Sequence, residues 1–200
     1  LLKMMLPTEA ARSVMLLTAH ELAKANNGDV AAARSVRLLT PLIKFRACRD
    51  ARVVTGDAME MRGGCGYIEE WSDARLLRDS HLGSIWEGAS NVVALDVMRA
   101  LRDSRVIDAF APLLDSMIDQ LPVPTFRRPL RGALKRALAF AMETALAKDH
   151  VASRQAATGL YYAVAAVAQA NEGGQLAAMG DARRLLLSAL TLPHPLIPRA

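Results

Sequence analysis

Aromatic side chains are scarce in this chain: two Trp, three Tyr and four Phe make up 4% of 200 residues. Runs of β-branched residues are few and short, and without them no sheet face can be read. Cysteine is almost absent. Cys48 and Cys65 alone build neither a disulfide framework nor a metal cluster, so a reducing, cytoplasmic setting is the default expectation. Long apolar runs are missing as well. The longest stretch without charge, Gln155 to Asn171, is short and Ala-rich for a membrane span, which takes ~20 strongly apolar residues; no membrane partner is expected. The opening LLKMMLPTEA lacks the charged start, apolar stretch and small-residue cleavage site of a secretory leader. It begins in mid-pattern at Leu1 rather than at Met, as expected for a piece of a longer protein.

What remains is helix-forming. Ala and Leu dominate a chain that is 52% hydrophobic with a mean hydropathy of +0.16, and both residues favour helix. The expected fold class is all-α, an up-and-down helical bundle. A first helix is predicted from about Thr8 to Lys24, stopped by Asn26, Asn27 and Gly28. Asp29 is set to cap a second, long helix that continues to about Met61, with Pro41 as a potential kink. Gly63 to Trp71 reads as a loop. Ser72 is predicted to cap a short helix through Asp79, and Ser90 another that ends near Asp103. Residues 1–104 form one expected unit, and 105–200 a second, helical one. Val106 to Leu121 is amphipathic, Pro122 and Pro124 break the chain, and Pro129 suits the first turn of a helix to about Lys148. Val151 to Ala170 is predicted as a helix ended by Gly173 and Gly174. Asp181 to Leu192 is the last, before a Pro-rich tail. The net charge of +5 sits mostly in residues 105–200.

Chemistry concentrates between Glu60 and Arg99. Gly63, Gly64 and Gly66 form a bend after a helix, where glycine lets the backbone approach a bulky anion or simply turn. Following a helix, it is not the strand-borne GxGxxG of dinucleotide folds. Glu87 stands between Trp86 and Gly88 at the mouth of a helix. A carboxylate there either caps amides with help from the helix dipole or, desolvated against an apolar wall, serves as a general base. Arg75 and Asp79 can pair at i,i+4 on one helix face. The four histidines are scattered, and no Ser-His-Asp arrangement supports a hydrolase.

The order of these pieces resembles the C-terminal domain of the acyl-CoA dehydrogenases. The family's GGxGY loop corresponds to Gly63-Gly64-Cys65-Gly66-Tyr67. Its Arg-Asp pair corresponds to Arg78-Asp79, and its aromatic-Glu-Gly segment to Trp86-Glu87-Gly88. The EEW after the loop and the LDVMR after the acid look most like the bacterial alkylation-response branch, in which helices also extend beyond the family domain. The resemblance covers about residues 1–104, with the bundle's first helix missing. It implies an FAD-dependent oxidoreductase that removes the Cα hydrogen of an acyl-CoA as a proton and passes a hydride from Cβ to FAD. Glu87 occupies the base position. Glu60, Gly63, Gly64, Gly66, Ala89 and Asn91 fall at cofactor-proximal positions, with much of the FAD held by a neighbouring subunit of a dimer or tetramer. Electron-transfer flavoprotein is the implied redox partner. Two residues depart from the pattern: Glu60 replaces the usual Gln, and Ala89 the usual Thr, whose hydroxyl Ser90 or Asn91 would have to replace.

The alternative reading uses the basic stretch Phe126 to Phe140. Arg128, Arg131 and Lys135 lie near one helical face, with Arg127 and Arg136 nearby, either as a solvated bundle surface or as contacts to DNA phosphates. DNA binding is associated with the alkylation-response branch. A third reading gives the extra helices a purely structural part, covering an oligomer interface or the cofactor end of the bundle.

Overall fold

The computed structural model describes residues 1–178 and 183–194. Among them it forms nine helices and no strand. Helices α1 (Leu2–Asn26) and α2 (Val30–Met61) make a long antiparallel hairpin. Its turn uses Gly28 at φ 94°, a conformation that costs glycine nothing. Asp29 then caps α2, its Oδ1 accepting the Ala32 N–H at 2.9 Å. That bond holds the Asp29 carboxyl below its usual range. A single turn, α3 (Gly64–Tyr67), is followed by α4 (Ser72–Gly83) and α5 (Ser90–Leu101). The remainder is α6 (Ser104–Asp119), α7 (Pro124–Leu146), α8 (Ser153–Ala178) and α9 (Arg183–Thr191).

The core is organised around α8. From Ala156 to Ala170 nearly every side chain is buried, including Leu160, Tyr161, Val164 and Val167. A helix apolar on all sides must be surrounded, and α8 packs against α1, α2, α5, α6, α7 and α9. Its many alanines let those neighbours approach closely. One continuous apolar cluster joins Val14 of α1, Leu38 and Phe45 of α2, and Val97 of α5 to Phe110, Leu130 and Leu160 beyond residue 104. Residues on both sides of that position therefore share one interior.

Several boundaries differ from expectation. The first helix starts at Leu2, before Pro7, rather than at Thr8. The second helix, by contrast, runs through Pro41 to Met61 as expected. Part of the predicted loop closes into the α3 turn. Trp71 and Ala89, not Ser72 and Ser90, occupy the N-cap positions, and neither caps through its side chain. Helix α4 runs past Asp79 to Gly83, and Pro124 takes the first turn of α7, which places Pro129 inside it. Gly173 and Gly174 do not terminate α8. A Cβ at Gly174 would lie 2.6 Å from Pro122 Cδ, so glycine here permits a close crossing of the α6–α7 turn. The predicted start of the last helix at Asp181 and the Pro-rich tail after His194 lie outside the described residues. None of the described helices is long and apolar enough to cross a membrane.

One buried polar knot ties α2 to α8. Asp50, 5% exposed, accepts from Arg46 Nε at 2.9 Å, from Arg46 Nη2, and from the Tyr162 hydroxyl at 3.0 Å. The Arg46 guanidinium also lies 5.4 Å from the Tyr162 ring centroid. Burial, reinforced by Asp50, pushes the Tyr162 phenol up to about 12. His194 stacks on Tyr162 with centroids 3.7 Å apart and planes 15° apart. Its imidazole is lowered to about 4 by burial and by Arg46. The folded chain keeps His194 neutral, whereas an unfolded histidine gains a proton below about 6.5. The stacking contribution is thus complete above that pH and declines as pH falls toward 4. We expect thermal unfolding to show this acid-side loss, and His194→Phe, which keeps a ring but cannot titrate, to reduce it.

Candidate functional site

Glu87 stands in the connection between α4 and α5. Helix α4 is closed by Ser84, whose hydroxyl donates to His81 O at 3.0 Å. The chain then folds back through Ile85 N–H to Leu82 O and Trp86 N–H to the same carbonyl, at 2.9 and 3.1 Å. Glu87 follows with φ 51° and Gly88 with φ 104°. A glutamate at positive φ is uncommon, and such strain clusters at functional sites. Helix α5 starts immediately afterwards, with Val93 N–H donating to Ala89 O at 3.1 Å.

Glu87 borders a cleft of about 620 Å³ between α2 and α5. Val36, Thr40, Pro41 and Lys44 form one wall, and Val92 and Val93 the other. Arg37 grips Asp96 with two bonds of 3.0 and 2.9 Å, and Arg99 adds a third at 2.8 Å. Partial burial pushes the Asp96 carboxyl up, but the two guanidiniums outweigh it and hold the group below its usual range. The three side chains are therefore paired along the cleft's edge, with one positive charge in excess. Glu87 itself is exposed. Trp86 is 54% exposed and lies beside the Lys44 ammonium, 5.7 Å from its ring centroid, rather than in the cleft wall. The desolvation expected of a general base is thus not supplied by these neighbours alone.

The glycine bend lies at the far end of α2. Lys44 and Met61 are separated by about 25 Å at 1.5 Å per residue, so Glu87 and the bend do not meet in one cleft. Gly63 holds φ 59° and ψ −141°, a combination that requires glycine. A Cβ at Gly63 or Gly64 would meet nothing within 4 Å; the backbone there is bare and open, which fits close approach of a phosphate group. Gly66 differs. It is buried, its N–H donates to Gly63 O at 3.0 Å, and a Cβ would strike Met59 O at 2.2 Å. Packing fixes this glycine. Glu60 is exposed one turn before the bend, and its carboxylate opposes an anion there. Nearby, Arg78 pairs with Glu69 through bonds of 2.7 and 3.1 Å, in place of the predicted Arg75–Asp79 pairing.

Ala89 is the N-cap of α5, with φ −63° and ψ 157°, and offers no side-chain acceptor. Ser90 and Asn91 are already within the helix. We expect Ala89→Thr to stabilise the chain by about 1 kcal/mol, read as a rise of roughly 2–4 °C in melting temperature.

On α7, Arg127 and Arg131 are engaged internally. Arg127 donates to Leu121 O at 3.1 and 2.6 Å, completing the end of α6. Arg131 pairs with Asp115 at 3.4 Å and Asp119 at 2.6 Å, which partly cancels the basic face. Arg128 and Lys135 are exposed.

Residues 1–102 match the family model described as acyl-CoA dehydrogenase, C-terminal domain, which sets the class of this helical bundle. The chain belongs to the acyl-CoA dehydrogenase family. It is 44% identical over 73 residues to the putative acyl-CoA dehydrogenase AidB of Escherichia coli, covering 36% of this chain and 14% of AidB. It is 34% identical over 116 residues to acyl-CoA dehydrogenase family member 11 of Caenorhabditis elegans, covering 58% and 18%. The chain thus spans under one fifth of the length of these relatives. The solved structure of Caenorhabditis elegans ACDH-11 in complex with C11-CoA superposes with a TM-score of 0.83 at 21% identity, covering 98% of this chain and 35% of that one. That likeness extends the shared fold through the helices after residue 102. The all-α class and the family resemblance are both borne out, and the AidB match agrees with the branch suggested by the EEW and LDVMR segments.

Proposed function

We propose that this chain is the C-terminal helical part of an FAD-dependent acyl-CoA dehydrogenase in which Glu87 removes the Cα proton of an acyl-CoA thioester. One observation carries the reading: Glu87 stands at positive φ, on a braced loop, at the mouth of a cleft. A base held on a rigid, pre-set backbone needs little reorganisation before proton transfer. The apolar walls from Val36, Pro41, Val92 and Val93 suit an acyl chain or a flat ring. Docking of either would cover the exposed carboxylate and exclude water from around it. FAD, when bound, supplies the hydride acceptor for the Cβ hydrogen. Gly63 and Gly64 are the residues best suited to lie against its phosphates, Ala89 and Asn91 lie on the α5 side of the loop, and Glu60 would have to turn away.

The separation of about 25 Å along α2 supports an assembly in which the bend of one subunit and the Glu87 of another serve the same cofactor, hence a homodimer or homotetramer. The acyl-CoA substrate class draws support from the C11-CoA complex of the related structure. Electron-transfer flavoprotein is the redox partner proposed on family grounds. The central position of α8 favours a structural part for residues 105–200. DNA binding through residues 127–136 has less behind it, because Arg127 and Arg131 already serve α6. The test is anaerobic addition of short-chain, medium-chain and C11 acyl-CoAs to the full-length protein, with the flavin absorbance read before and after. Bleaching is expected; an unchanged spectrum across the panel overturns the proposal.

A further inference from the structure

We infer that Lys44 is a positioning residue that sets the backbone on which Glu87 stands; this rests on the reading of Glu87 as the base. Lys44 comes from the middle of α2, between Ile43 and Phe45, and is remote in sequence from the loop it holds. Its ammonium donates to Gly83 O at 2.6 Å and to Trp86 O at 3.2 Å. Gly83 is the last residue of α4, where carbonyls lack intrahelical partners and a cation is favoured by the dipole. The Trp86 carbonyl has a different importance. It belongs to the peptide unit that carries the Glu87 N–H, so holding it fixes the plane immediately before the residue at φ 51°.

Two peptides beyond Glu87 the chain is anchored again, where α5 begins. Gly88 sits at φ 104°, and a Cβ there would come within 3.2 Å of Val93 Cγ2. Ala89 O is held by the Val93 N–H at 3.1 Å. A non-glycine residue persists at positive φ only when its surroundings over-determine it. Lys44 is the group that reaches this loop from another helix at both of its turns, and it also lines the cleft that Glu87 borders. With an ammonium joining two carbonyls, the loop has one backbone path; without it, the Trp86–Glu87 peptide is free to rotate and the carboxylate swings with it.

The test uses the full-length flavoprotein, with C11-CoA as substrate. Lys44→Met keeps the stem and removes the donors; Lys44→Arg keeps charge and donors. For Lys44→Met we expect kcat to fall by about 10–100-fold, as for a misplaced catalytic group, with KM and FAD content little changed. The isotope effect of a Cα-deuterated substrate on kcat should grow, because proton removal becomes slower. Lys44→Arg should recover most of the rate. In a Glu87→Gln background, Lys44→Met should add almost no further loss, as for groups acting as a unit. Amide hydrogen exchange should quicken over residues 83–89. If Glu87→Gln is inactive while Lys44→Met turns over and exchanges like wild type, the positioning role is wrong and the base assignment stands. If Glu87→Gln turns over normally, both are wrong. Loss of FAD or a raised KM with kcat intact would reduce Lys44 to a helix-end contact and overturn the inference.

Discussion

Glu87→Gln in the full-length protein is expected to lower acyl-CoA oxidation by about 10²–10⁴-fold, the range for removing a positioned general base, while leaving FAD bound. Gln matches Glu in size and loses only the ability to take a proton. Glu87 is exposed and has no hydrogen bond or ion pair among the described contacts, so the substitution removes no packing. Stability should change by no more than about 0.5 kcal/mol, as at ordinary surface positions. A second substitution separates base from scaffold. Glu87→Gly relieves the positive φ of 51°, which a glycine occupies without the Cβ penalty. That variant should unfold at a temperature close to wild type or higher, yet be as inactive as the Gln variant. Loss of activity without loss of stability marks a residue kept for chemistry. The measurements are flavin reduction by a C11 or shorter acyl-CoA, flavin content, and thermal unfolding. Undiminished flavin reduction in Glu87→Gln would remove Glu87 from the reaction.

The parts of this architecture that were legible in the sequence are those written in local pattern. Asp29 after Asn27-Gly28 announced the start of α2, because an acid ahead of an apolar-periodic run can cap the first amides, and it does. The all-α class followed from Ala and Leu content, and the glycine bend and Glu87 could be singled out from residue type and order. Caps were less legible: serine propensity pointed to Ser72 and Ser90, but each helix begins one residue earlier, with Trp71 and Ala89 at the N-cap positions. Gly173 and Gly174 looked like punctuation because sequence does not show that Pro122 passes 2.6 Å from a would-be Cβ. The two features that matter most for the site were invisible for the same reason. Lys44 sits among apolar residues of α2, where a cation reads as a solvated interruption, and its partners lie 39 and 42 positions away. The positive φ at Glu87 has no signature beyond the Gly88 that follows it.

The knot at Asp50 was equally hidden, since its hydroxyl partner Tyr162 is 112 residues distant, and it carries the largest stability effect we expect. Asp50→Ala should destabilise the chain by about 3 kcal/mol, the lower end for breaking a buried ion pair, or roughly 6–12 °C in melting temperature. The reason is what remains behind. The Arg46 side chain is only 18% exposed and would be left with a buried positive charge. The Tyr162 hydroxyl would lose its acceptor. Burial opposes charge on Arg46, and it is Asp50 that outweighs this and raises the guanidinium above its usual range. Tyr162→Phe is the smaller perturbation. Asp50 keeps Arg46, and one hydrogen bond to a charged group disappears, at a cost of about 1.5–3 kcal/mol. The double variant should cost less than the two singles together, because the same acceptor serves both contacts. Thermal unfolding of the four proteins measures this. Hydrogen exchange locates it: α8, and the His194 end that stacks on Tyr162, should lose protection before the α1–α2 turn does. A loss below about 0.5 kcal/mol for Asp50→Ala, in the range of exposed positions, would mean that water replaces the carboxylate freely, and that α8 is held to α2 by apolar packing alone.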